Sequence, residues 1–207
     1  MKSVRNRFTH VFFTLLAMLA GMVIFSGCTR YARNVDTLYE ATTFIHGGSG
    51  ELYIVIPPSQ QTQSPDIKWV LGKVKDDENK QIDEVSSPRS PAEIIQTALS
   101  SEFRKAGYTV ITATQRPTGG QAVIDLTRSE INLEQISDLA DIKVTCRVLA
   151  GMDIVKNGQL IKRLQYEATS SKTDIKDRDL LARSVLNDTL QSIMQKAVPE
   201  LSKMLGT

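Results

Sequence analysis

Cys28, Cys146 and His46 are the residues in this 207-residue chain whose side chains could carry covalent or metal chemistry. A cysteine attacks as its thiolate, which needs a base or a positive neighbourhood. Cys146 instead alternates with Ile142, Val144 and Val148, where a thiol behaves as a small hydrophobe. Its neighbour Arg147 points to the opposite face of that strand pattern. His46 is the one histidine after residue 27. Zinc needs three or four N, S or O ligands, and no spacing here supplies them, so no metal is expected. His46 is followed by Gly47-Gly48-Ser49-Gly50. This run lacks the Lys-Ser/Thr step of a phosphate loop and precedes a strand rather than a helix. Nor is it a nucleophile elbow, because Glu51 stands where the last glycine must be. It reads as linker. Asp76-Asp77-Glu78 lacks the spaced ligands of a calcium loop and reads as a solvated turn. Asp125 and Glu130 are not brought together by any pattern, and Asn187-Asp188-Thr189, a glycosylation triplet, falls inside a helical pattern. No catalytic residue is assigned, and the chain is expected not to be an enzyme.

Cys28 has a different setting. Residues 1–7 are basic, and residues 11–25 (VFFTLLAMLAGMVIF) form an apolar run. At about 15 residues that run suits a signal peptide and falls short of the roughly 20 needed to span a bilayer. It ends in Phe25-Ser26-Gly27-Cys28, which resembles the lipobox of bacterial lipoproteins, with Phe25 where Leu is usual. The resemblance implies diacylglycerol on the Cys28 thiol, cleavage between Gly27 and Cys28, and acylation of the new amino terminus, including a palmitate-type chain. Each buried CH₂ contributes about 0.8 kcal/mol, so several acyl chains make attachment effectively permanent. Thr29 follows Cys28 in place of the Asp that retains such proteins in the inner membrane. By that sorting rule the expected location is the outer membrane, lipid-anchored and facing the periplasm. Beyond this covalent lipid, no cofactor is expected.

Composition sets further bounds. With 41% hydrophobic, 23% charged and 6% aromatic residues, the chain is an ordinary globular protein. Its formal net charge of +2 comes from the leader. Removing Lys2, Arg5 and Arg7 from the 25 basic side chains leaves 22 against 23 acidic ones. A near-neutral remainder has no basic footprint for nucleic acid. Residues 28–50 show no sustained period and end in the glycine run, so they are expected to be a flexible tether. Residues 51–207 are one domain's worth of chain.

Within it, residues 52–56 (LYIVI) and 67–75 read as strands, with 76–79 as a turn. Ser90, Pro91 and Glu93 mark a helix start with a capping box, and Gly107 a stop. Strands follow at 108–113, 122–133, 141–155 and 159–169, the last two joined by Asn157-Gly158, a hairpin signal. Leu160, Leu164, Tyr166 and Ala168 are expected on the core face of the last strand. A helix over about 177–205 closes the chain, kinked or interrupted at Pro199. The predicted fold is α+β: a mostly antiparallel sheet of about five strands with two helices packed on one face.

The lipobox, the "EFRKAGYTV" helix end, the alternating strand with its NG turn and the helix "LARSVLNDTLQSIMQ" together resemble the YajG family of bacterial lipoproteins. That family is similar in plan to the auxiliary lipoproteins of ABC-type envelope transporters. The resemblance implies an outer-membrane-anchored periplasmic domain without known catalysis. Two readings follow: a non-enzymatic binding or scaffold module with a protein partner or a second copy of itself, or an accessory of an envelope lipid transport system. The second expects an apolar groove between helices and sheet. For the first, the candidate partner face is the outward row Lys143, Thr145, Arg147, Arg163, Gln165 and Glu167.

Overall fold

The structure is a computed structural model that describes residues 34–36, 38–42, 46–137, 141–175 and 178–206. Cys28 and Gly27 lie outside the described residues. Among the described residues, seven strands and two α-helices follow in order: β1 (Glu51–Val55), β2 (Trp69–Lys75), β3 (Gln81–Ser87), α1 (Pro91–Ala106), β4 (Thr109–Ala113), β5 (Ala122–Ser137), β6 (Ile142–Lys156), β7 (Gln159–Asp174) and α2 (Arg178–Leu205). A 3-10 turn at Pro58–Gln60 follows β1.

The helices form where local chemistry demands them. Ser90 accepts from the Glu93 backbone N–H, and the Glu93 carboxylate accepts from the Ser90 N–H, closing a complete capping box. Thr62 also donates to Glu93 from both its backbone and its hydroxyl, and the Trp69 indole donates to Thr62. The helix start is thereby tied to the loop before β2. Gly107 ends α1 at φ 110, a left-handed conformation that a β-carbon disfavours. α2 continues unbroken through Pro199, and Val198, Leu201 and Leu205 beyond or beside it are buried.

The sheet is mixed, not mostly antiparallel. β5 is its spine. Its first residues pair in parallel with β1 and its last with β2, on one edge, while β6 runs antiparallel along the other. β4 adds in parallel outside β1, β3 antiparallel outside β2, and β7 antiparallel outside β6. β3 is the strand the sequence pattern does not reveal. Only Val85 and Ser87 of its seven residues are buried, as befits an edge strand.

Both helices cover one face, as expected. α1 lies over β1, β4 and β5, α2 over β6 and β7, and the helices touch each other. Ile54, Val74, Ile124, Leu133 and the even-numbered residues 142–154 of β6 meet Leu99, Phe103, Leu190 and Met194 there, all buried. Two bulges control which side chains reach this core. At Thr127 the β5–β6 register shifts, so the inward set changes from Ile124 and Leu126 to Ile131 and Leu133. At Ile161 the β6–β7 register shifts likewise. Leu164, Tyr166 and Ala168 pack against the core as the alternation predicts, but Leu160, beyond the bulge, is 47% exposed on the other phase.

Part of the segment read as tether packs on the domain. Val35 is fully buried and donates its N–H to the Ser86 carbonyl at 2.8 Å. Asp36 pairs with Arg89, and Tyr39 donates its hydroxyl to the buried Glu102 carboxylate of α1 at 2.5 Å. The Thr42 N–H donates to the same oxygen at 2.9 Å. Residues 34–36 and 38–42 thus lie across β3 and α1 as a strap.

Candidate functional site

The face of the sheet away from the helices is where the strand alternation leaves polar side chains. Beyond the Thr127 bulge, Asn132 and Glu134 of β5 point outward. They meet Thr145 and Arg147 of β6, which in turn oppose Ser171 and Thr169 of β7. β2 reaches this surface because Gly72 has no side chain. A β-carbon there would lie 1.8 Å from the Leu133 carbonyl oxygen, so only glycine lets β2 pair this closely with β5. Register shifts at Leu71 and Ile82 bend β2 and β3 out of plane. The result is an open groove of about 610 Å³, lined by Val70, Lys73, Gln81, Glu84, Asn132, Glu134, Thr145, Arg147 and Thr169 among others.

Opposite charges pair across this face. Arg147 Nε donates to Glu167 at 2.6 Å. That hydrogen bond holds the Glu167 carboxyl below the usual carboxylate range and raises the Arg147 guanidinium. Lys75 pairs with Glu134, and Arg128 with Glu130 at 2.7 Å. The Thr145 and Ser171 hydroxyls lie 3.0 Å apart, and Ser171 donates to the Val144 carbonyl. These hydroxyls are bound to one another and to backbone, not set against a base. Among the described lining residues there is neither cysteine nor histidine. Such a surface offers hydrogen bonds and balanced charge to a polar chain lying across the strands.

All six residues of the predicted partner face share this outer side. Lys143, Thr145 and Arg147 alternate outward on β6, and Arg163, Gln165 and Glu167 on β7. The structure nevertheless divides them. Thr145 and Arg147 line the groove and Glu167 anchors Arg147, whereas Arg163 lies at the far end of β7 against Asp153, 3.4 Å away. Asp153 is also the cross-strand neighbour of Asp125, and Arg116 reaches both, at 2.7 Å to Asp125 and 3.9 Å to Asp153. The carboxylate beside Asp125 is therefore Asp153, not Glu130. Glu84 was not legible because β3 was not, and Lys73 because nothing local places β2 beside β5.

Other candidates resolve locally. Cys146 is fully buried, and burial pushes its thiol up to about 12. Asp76 accepts from the Lys80 N–H and caps the β2–β3 turn. Gly48 donates its N–H to the Ala106 carbonyl and packs against the Tyr108 ring just ahead of β1. His46 is exposed. Among the described residues no group of three metal-binding side chains occurs, and no helix is long and apolar enough to cross a membrane.

Fold and site together define a small α+β module with an open polar sheet face. No protein-family profile matches the chain, and no curated protein matches it. Solved structures do. A Xanthomonas campestris protein of family DUF330 is 9% identical, covering 84% of this chain and 95% of its own, with a TM-score of 0.44. A minor lipoprotein from Acinetobacter baumannii is 9% identical over 74% of this chain and 91% of its own, at TM-score 0.36. The rare lipoprotein B from Shewanella oneidensis is 8% identical over 65% and 92%, at TM-score 0.30. Bacterial lipoproteins are thus among the structures this chain is similar to, at a distance where fewer than one residue in ten is shared.

Proposed function

We propose that the chain is a non-enzymatic binding module of the bacterial envelope, anchored through lipid on Cys28 to the periplasmic side of the outer membrane. Its partner binds in the groove on the outer sheet face. The observation that carries this reading is the groove itself: concave, lined by both polar and apolar groups, charge-balanced and built by a glycine that permits close strand approach. The anchor rests on the leader, where a basic start, an apolar run of signal-peptide length and Phe25-Ser26-Gly27-Cys28 agree. The transport-accessory reading expects an apolar groove between the layers. The side chains there, Leu99, Phe103, Leu190 and Met194, are fully buried against one another and the sheet.

Photo-crosslinking in intact cells tests the proposal. A photoreactive residue at Asn132 or Thr145 is expected to capture the same protein, one that Lys196 on the exposed side of α2 does not capture. Arg147→Glu is expected to abolish the adduct. Equal labelling at all three positions, or none, would refute the groove as the binding surface. A transporter component in the adduct would assign the module to transport.

A further inference from the structure

The strap changes how far the domain can stand from its anchor. Were residues 28–50 all free, the domain would drift a few tens of Å from the membrane, at roughly 5–6 Å × √n. Val35, Asp36, Tyr39 and Thr42 are instead fixed to β3, Arg89 and α1. Only six peptide steps separate Cys28 from Asn34, a covalent reach of at most about 20 Å. The surface around the strap is then held within reach of the lipid.

That surface carries exposed aliphatics among polar side chains that include Asp36 and Asp188. Leu38 is 88% exposed, Ile175 73% and Leu180 60%. Asp36, Leu38, Leu180 and Arg183 line one hollow of about 740 Å³, which places the strap and the start of α2 side by side. A second hollow shares Leu180 and takes in Thr173 and Asp174, the residues just before Ile175. Clustered exposed aliphatics mark an interaction surface. Leu160 and Ile161 are also exposed, but at the opposite end of β7, about 50 Å away at the rise of a strand. Val70, 57% exposed and paired with Ser86 beside the strap's start, faces the groove instead. We infer that Leu38, Ile175 and Leu180, with Arg183 at their rim for lipid phosphate, seat on the bilayer surface and orient the domain. This rests on the reading that Cys28 is acylated.

The test uses full-length acylated protein in vesicles of phosphatidylethanolamine and phosphatidylglycerol. An environment-sensitive fluorophore is attached at Leu180→Cys, at Ile175→Cys as a second position outside the helix, or at Gln159→Cys as the distal control. Nitroxide-bearing lipids are expected to quench positions 180 and 175 several-fold more than 159. Equal or reversed quenching, with mass spectrometry confirming acylated Cys28, overturns the orientation alone. A blue-shifted but unquenched fluorophore at 180 also overturns it, because protein then covers the patch. An unacylated Cys28 overturns the anchor and the orientation together.

Discussion

Tyr39→Phe isolates the latch that holds the strap. Tyr39 is 9% exposed, and its hydroxyl donates at 2.5 Å to a Glu102 carboxylate with no solvent exposure. The substitution leaves the ring packing intact and removes one donor. Glu102 keeps the Thr42 N–H but stays inside the protein. A hydrogen bond to a charged group contributes about 1.5–3 kcal/mol, so the expected loss is about 2 kcal/mol. For a domain of 150–250 residues each kcal/mol moves Tm by about 2–4 °C, which gives a fall of about 4–8 °C. Calorimetry on the folded domain measures this, and limited proteolysis should show residues 34–42 cut faster. The same pair sets an alkaline limit. Burial first, and then the Glu102 carboxylate, raise Tyr39 above its ordinary value of 10.0. A raised value in the fold means that stability is complete below the unfolded value and declines as pH climbs past about 10. Tyr166 adds to that decline through burial and its bond to Glu200. Tyr39→Phe should flatten this alkaline limb. A Tm change under about 1 °C with unaltered proteolysis would refute the latch.

Gly72→Ala should cost about 3 kcal/mol or more, since its β-carbon meets the Leu133 backbone, which cannot yield without opening the β2–β5 ladder. Urea titration measures this, and an unchanged midpoint would contradict the close approach. Cys146 should resist thiol reagents in the native protein and react on unfolding, because burial raises its thiol to about 12; rapid native labelling would contradict its place in the core. Burial tends to raise Glu93, yet the hydrogen bonds from Thr62 and Ser90 outweigh it and leave the carboxyl below its ordinary 4.5. A lowered value in the fold stabilises above 4.5 and is lost as pH falls below it. Glu93→Gln should therefore flatten the acid limb of the stability profile, read from Tm between about pH 3 and 6; an unchanged limb would refute the network.

What was legible follows from the range of the interactions. Capping, the Asn157-Gly158 hairpin and the α2 stripe are encoded within a few residues, and the structure has them where the pattern puts them. Strand order is not local. Nothing in residues 52–56 or 67–75 indicates that both pair with β5, some 60–70 positions on. β3 escapes because its edge position asks for little apolar content, and β5 reads as ending at Leu133 in sequence because Gln135, though polar, is fully buried. Bulges add a subtler loss. Each resets the alternation, so Leu160 belongs to the inward set by counting and to the outward set by register. The strap hides for a similar reason: Val35 and Tyr39, its two buried anchors, make no period by themselves. The groove was half legible, with Thr145 and Arg147 on a strand of clean alternation and Lys73 and Glu84 on elements whose placement only the tertiary fold supplies.

The central position of β5 has a consequence for the order of assembly. β1 and β2 are not paired with each other; each waits for β5, which the ribosome adds long afterwards. A nascent chain ending before Ala122 has β2 to pair with β3 and β1 with β4, but no strand to join the two pairs. Closing loops of that length carries an entropic cost before any contact repays it, which makes such folds slow to form. The two N-terminal strand pairs therefore have nothing to hold them together until the spine is made, so the sheet closes only after Ala122–Ser137 has been added.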